Sequence, residues 1–222
     1  GTGLPEGPAK LSLPDGQLTS ILSDSSIWMS GAEFIGNQLY GVSYSGAYSD
    51  LYSINAQTGA YVLVANTGVL FTGFTYDTVG QTAYASDPYN LYTVNLETGA
   101  SAAVGAFADT NPYLVIGIAA DNDGNLFGLD IVQDVLLSIN PTTAEATVIG
   151  SLGVNISYAQ DIAYDRDNNI LYGTLYNNST SRGELYSINT STGQASFICN
   201  LGAEIDGFAI PYTVSDDNCI VP

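Results

Sequence analysis

Paired carboxylates are the one arrangement in this chain that suggests bond-breaking chemistry, and the pair is Asp161 and Asp206. They emerge when five short segments are aligned: Ser30-Gly31, Thr72-Gly73, Ile116-Gly117, Gln160-Asp161 and Asp206-Gly207. Glycine in the second column lets backbones approach closely, and Asp161 interrupts that column. Two converging carboxyls are what glycoside hydrolysis uses, one kept protonated as the acid and the other ionised as base or nucleophile. No further catalytic motif accompanies them. A polar, water-filled or ion-binding channel mouth built from Ser30, Thr72, Gln160, Asp161 and Asp206 is therefore preferred, with hydrolysis as the weaker alternative.

A second candidate chemistry is calcium. Asp121-Asn122-Asp123-Gly124-Asn125 and Asp165-Arg166-Asp167-Asn168-Asn169 place oxygen side chains at alternating positions, as hard-cation loops do. Neither is followed by a bidentate Glu at the usual distance. Both fall where strands must reverse, and turns select Asp, Asn and Gly on backbone grounds alone. Asp121, Asp123, Asp165 and Asp167 are thus read as turn formers, with calcium as a weak alternative and no cofactor expected. The chain has no His, which removes the usual zinc ligand sets and Ser-His-Asp chemistry. It also lacks a Gly-rich phosphate loop with its Lys.

The elements that must position these residues repeat. LYSIN at Leu51, LYTVN at Leu91, LLSIN at Leu136 and LYSIN at Leu185 are spaced by 40, 45 and 49 residues, a drifting period of whole supersecondary units. Each unit reads as four short strands of alternating apolar and polar residues between turn signals. The expected fold is an all-β, five-bladed β-propeller with four antiparallel strands per blade. Its parts are an N-terminal arm (1–8), outer strands of a closing blade (9–22), blade 1 (27–67), blade 2 (68–108), blade 3 (113–153), blade 4 (157–202), the inner strand of the closing blade (203–214) and a tail (215–222). Joining both ends in one blade removes open sheet edges. Six blades or an open two-sheet sandwich are the alternatives.

The motif residues also carry a resemblance. Leu51-Tyr52-Ser53-Ile54-Asn55 with Thr58-Gly59, Leu91 to Asn95 with Thr98-Gly99, and Leu185 to Asn189 with Thr192-Gly193 resemble secreted bacterial propeller repeats of unknown function. The third copy departs from them, with Leu137 for Tyr and Ala144 for Gly. The resemblance implies architecture and little about activity, since propellers host enzymes, lectins and scaffolds. Likeness to five-bladed glycosidases is architectural only.

Up-and-down topology sorts the loops onto two ends. The tight turns share one end. The irregular loops and the links between blades share the other, and with them the aromatics that break the repeat: Trp28, Tyr48, Tyr89, Tyr113, Tyr158 and Tyr176. These six are expected either to form a recognition face or to cover gaps between blades. The repeated aromatics Tyr40, Tyr84, Phe127, Tyr172, Tyr52, Tyr92 and Tyr186 are expected in the core.

Composition narrows the partners. Three Lys and Arg against 22 Asp and Glu give a net charge of −19, which repels nucleic acid and anionic membrane surfaces. No run approaches the length of a spanning helix. A start without Met reads as a mature product whose leader was removed. In an exported protein Cys199 and Cys219 would form a disulfide worth about 3 kcal/mol. Triplets at Asn155, Asn177, Asn178 and Asn189 fit the glycosylation pattern. The functional expectation is an extracellular, non-enzymatic structural or adhesive module, such as the repeating subunit of a fibre or surface layer. Its partners would be itself, glycans or surface proteins, and the alternative is a lectin.

Overall fold

The computed structural model describes residues 7–13, 15–21, 27–110, 113–158 and 160–213. All regular structure among them is β-strand. A short antiparallel hairpin comes first, β1 (Ala9–Leu11) and β2 (Leu18–Ser20). Four antiparallel sheets follow. The first is β3 (Met29–Ile35), β4 (Gln38–Ser43), β5 (Asp50–Ile54) and β6 (Tyr61–Asn66). The second is β7 (Gly73–Asp77), β8 (Thr82–Ser86), β9 (Asn90–Val94) and β10 (Ser101–Ala106). The third is β11 (Val115–Ala120), β12 (Leu126–Asp130), β13 (Val135–Ile139) and β14 (Ala146–Ser151). The fourth is β15 (Asp161–Asp165), β16 (Ile170–Asn177), β17 (Arg182–Ile188) and β18 (Ala195–Asn200). Within each sheet the strands lie in chain order, and the sheets are arranged as in a β-propeller.

The repeated Asn explains why each unit turns where it does. Asn55, Asn95, Asn140 and Asn189 each accept two backbone N–H bonds on Oδ1, from the residues two and three further on. The fourth residue beyond each Asn has positive φ: Gly59, Gly99, Ala144 and Gly193 at 70°, 69°, 66° and 78°. Glycine suits that conformation. Ala144 accepts it while its methyl is fully buried, which offsets the backbone cost.

The core lies in the seams between sheets. Phe71 and Phe74 of the second unit pack with Val42 and Leu51 of the first. Phe107, Leu91 and Tyr84 of the second meet Ile118, Leu126 and Leu137 of the third. Phe127, Leu129 and Leu136 of the third meet Ile162, Leu171 and Leu175 of the fourth. Burying each such side chain contributes about 1.5–3 kcal/mol, so neighbouring sheets stabilise one another. The repeated Tyr84, Phe127, Tyr172 and Tyr186 are buried, and Tyr40, Tyr52 and Tyr92 are half-buried.

The closing unit departs from expectation. Among the described residues there are four four-stranded blades, not five. Residues 203–213 form no strand, and β1 pairs only with β2. Both segments nevertheless occupy the place of a fifth unit. Leu11, Leu13, Ile205, Phe208 and Ile210 share a core cluster with Leu185 and Leu201 of the fourth sheet. Gly16, at φ 68°, lies against Cys199 of β18, much as Gly99 lies against Ala65 and Gly193 against Gly150. Apolar packing therefore fills this position without a continuous hydrogen-bond ladder. Ile205 to Pro211 contains a positive-φ Gly207 and ends in a proline, neither of which favours a regular strand.

Candidate functional site

The inner strands meet around a central axis, and the glycine column forms its seams. A methyl added to Gly31 would lie 2.5 Å from the Phe74 nitrogen, and one on Gly73 would lie 2.9 Å from the Ile118 nitrogen. On Gly117 it would meet the Ile162 nitrogen at 3.3 Å, and on Gly207 the Met29 Cβ at 2.7 Å. Each unit thus backs directly onto the next. At the fourth step Asp161 replaces glycine, and its carboxylate reaches the closing segment. Oδ2 accepts the Phe208 N–H at 2.9 Å and Oδ1 accepts the Ile162 N–H at 2.8 Å. Hydroxyls reinforce the same ring: Ser30 donates to the Phe71 carbonyl at 2.7 Å, Thr72 to Val115 at 2.9 Å and Thr174 to Ile205 at 3.0 Å.

Of the channel-mouth residues expected from sequence, Gln160 and Asp161 are buried, and Ser30, Thr72 and Asp206 are half-buried. Asp161 is fully buried. Burial holds its carboxyl well above the usual range against the two N–H donors, and the charges of Asp206 and Glu33 push the same way. Burial, and then Glu204, raise Asp206 to about 6. The two aspartates influence one another electrostatically, but Asp161 has both oxygens committed to the backbone and no access to a substrate. Gln160 is also buried, and its amide has no hydrogen-bond partner among the described residues. The axis beside the fourth sheet is accordingly polar.

Two further axial residues were not singled out from sequence. Glu33 lies in a column otherwise made of Thr75, Ala119, Ala163 and Ala209, and a carboxylate among small residues is the signal that marks it. Its Oε2 accepts from Thr75 Oγ1 at 2.9 Å and its Oε1 from the Phe34 N–H at 3.0 Å. Burial raises its pKa to about 7, opposed by Arg166, Thr75 and backbone donors. Arg166 reaches in from the turn after β15. It lies 3.9 Å from Glu33 of the first unit and donates to the Tyr76 carbonyl of the second at 2.6 Å. It also donates to the Asp121 carbonyl of the third at 3.0 Å, and covers the Tyr212 ring of the closing segment at 5.3 Å. One guanidinium therefore ties every unit together at the tight-turn end. Tyr212 accepts the Gly36 N–H at 2.9 Å, and Thr213 donates to Asp167.

The turn carboxylates are engaged in the same local way. Asp121 accepts from the Asp123 and Asn125 N–H groups and from the Asn125 amide, and Asp165 accepts from Asn168. Among the described residues no group of three or more His, Cys, Asp or Glu converges as a metal site. Of the sequon residues, Asn155, Asn178 and Asn189 are exposed. Asn177 is buried, its amide donating to Glu184 and Tyr186. Burial raises the Cys199 thiol, with Asp15 adding to the effect. Its expected partner Cys219, like most of the N-terminal arm and the C-terminal tail, lies outside the described residues.

At the opposite end, the irregular loops and inter-unit links bond to each other. Tyr44 N–H donates to the Trp28 carbonyl, Val115 to Pro88 and Ser157 to Tyr176. Trp28 is 60% exposed, Tyr158 61%, Tyr48 44% and Tyr89 43%, and Tyr44, not singled out from sequence, is 51% exposed. Tyr113 and Tyr176 are half-buried, Tyr113 against the seam between the second and third sheets. Four of the six expected aromatics are thus presented to solvent at the loop end. Among the described residues no helix is long and apolar enough to cross a membrane.

Residues 117–209, less than half of the chain, match a domain of unknown function, DUF4394. No curated protein matches the chain. It is similar in fold to a structural genomics protein of unknown function from Bacteroides thetaiotaomicron, with a TM-score of 0.57 and 19% identity over 85% of this chain and 46% of that one. It thus spans about half the length of that protein. It is also similar to a chain of the nidogen/laminin complex, with a TM-score of 0.59 and 13% identity over 93% of this chain and 78% of that one. At such identities the likeness concerns the fold.

Proposed function

We propose that this protein is a non-catalytic extracellular propeller whose loop end is an adhesive contact, through which copies of the chain assemble. The observation that carries this reading is the exposure of Trp28, Tyr44, Tyr48, Tyr89 and Tyr158 at one end of the ring. Rings of this kind bury about 150–250 Å² each and dominate interfaces at little entropic cost. A net charge of −19 opposes contact between copies wherever carboxylates face each other, so association is directed to an end where aromatics are exposed. The enclosed state of Asp161, with both oxygens accepting backbone N–H groups, argues against hydrolysis. The sequons and the scarcity of Lys and Arg support a place outside the cell.

Light scattering and electron microscopy of the purified protein test the reading. The expected result is a concentration-dependent mass above the 23.2 kDa of one chain, or regular fibres or sheets, reversed by replacing Trp28 and Tyr158 with Ser. A monomer at every concentration would overturn it.

A further inference from the structure

We infer that the fourth sheet carries a saccharide-binding cleft at its outer edge, with Phe197 as the stacking platform and Arg182 and Asn200 as the polar contacts.

The cleft arises from strand lengths. β16 and β17 continue pairing through Tyr176 with Gly183 and Asn177 with Arg182. β18 pairs with β17 as far as Asn200 opposite Glu184, with one further bond from the Leu201 N–H to the Gly183 carbonyl at 3.0 Å. The hairpin therefore overhangs the end of β18, and the overhang walls an open cleft of about 610 Å³. Phe197 is 55% exposed in it. Its ring is fixed by an edge contact with Tyr186, centroids 5.8 Å apart and planes at 77°, so the platform is already oriented.

The other sheets lack this combination. The residues in register with Phe197 are Leu63, Ala103 and Val148. In the first sheet the counterpart of Asn200 is Asn66, whose amide is tied to Asp50 at 2.8 Å. Here the acid is one methylene longer and turns the opposite way. Glu184 accepts from Asn177 at 2.9 Å, from Thr180 at 2.7 Å and from the Tyr186 hydroxyl. As a result, no hydrogen bond among the described residues occupies the Arg182 guanidinium or the Asn200 amide, and both border the cleft.

The chemistry favours a neutral sugar. A pyranose offers an apolar C–H face to an aromatic ring and hydroxyls at its rim to an amide and a guanidinium. Burial pushes the Glu184 carboxyl up, but the bonds from Tyr186, Asn177 and Thr180 and the charge of Arg182 outweigh it and hold it below its ordinary value. Glu184 therefore stays ionised and balances Arg182, so the cleft itself attracts no net charge.

The test is calorimetric titration of the full chain with soluble neutral hexasaccharides of glucose, mannose, galactose and N-acetylglucosamine. At least one is expected to bind, with affinity falling about tenfold or more in Phe197→Ser, a loss of about 1.4 kcal/mol, and severalfold in Arg182→Gln. Asn200→Ala gives an independent check if Phe197→Ser folds poorly. Leu63→Ser, at the exposed position of the first sheet that is in register with Phe197, should leave binding unchanged. The inference falls if none of the four binds, if binding survives both Phe197→Ser and Asn200→Ala, or if Leu63→Ser abolishes it.

Discussion

Replacing Glu33 with Gln should reverse the order of stability between wild type and variant as pH rises. Glu33 is 3% exposed and its carboxyl is raised from 4.5 to about 7. Between those values the folded state holds a proton that the unfolded state has released. Stability from this group is therefore fully present below the unfolded pKa and is lost as pH rises through the folded one. The slope is about 1.4 kcal/mol per pH unit, so the loss across the window is of the order of 3 kcal/mol. Gln cannot titrate, and its single oxygen can serve only one of the donors Thr75 and Phe34, a cost of about 1–2 kcal/mol at every pH. The variant should be the less stable protein at pH 5 and equal or more stable at pH 8, measured by urea unfolding of both. Repulsion between Asp161 and Asp206 is present in both proteins, but the charge of Glu33 that also raises Asp161 is lost in the variant, which adds to the variant's gain at high pH. Parallel curves from pH 5 to pH 8 would refute the assignment of that titration to Glu33.

Three further outcomes follow from the seams and turns. Gly31→Ala, whose methyl would meet the Phe74 nitrogen at 2.5 Å, should cost about 2–3 kcal/mol; Gly36→Ala, with nothing within 4 Å but φ at 60°, should cost about 1 kcal/mol. The opposite order in thermal melts would remove the seam argument. Asn95→Ala strips the acceptor for the Glu97 and Thr98 N–H groups and should lose about 1–2 kcal/mol in chemical denaturation. After passage through a eukaryotic secretory pathway, peptide mass spectrometry should find Asn177 unmodified, because its amide is committed to Glu184 and Tyr186; a glycan there would mean that the hairpin is not formed when the sequon is read.

The repeat was legible because its causes are local. Asn95 followed by Thr98-Gly99 closes a turn through bonds within five residues, and any unit carrying those residues must reverse there. The buried Tyr84, Phe127 and Tyr172 were legible for the same reason, through alternation along one strand. The aromatic loop end followed from topology, although Tyr113 and Tyr176 turned out half-buried, Tyr113 because it packs against the seam between the second and third sheets. The fifth blade was over-read. Its half-repeats are real and occupy the expected place, but a sequence pattern cannot show whether two distant segments will align closely enough to share a hydrogen-bond ladder.

By itself the sequence determined the all-β class, the turn positions, the inward-facing aromatics and the net charge of −19. Each depends on residues close together in the chain or on simple sums over it. The axis was decided only by tertiary structure. Glu33 and Arg166 are 133 positions apart and meet only when the ring closes; Asp161 becomes a strut because a distant N–H, that of Phe208, arrives opposite it. Burial then changes the meaning of such groups, since a carboxylate that would be an ordinary surface charge in water becomes, once enclosed, a titratable part of the fold.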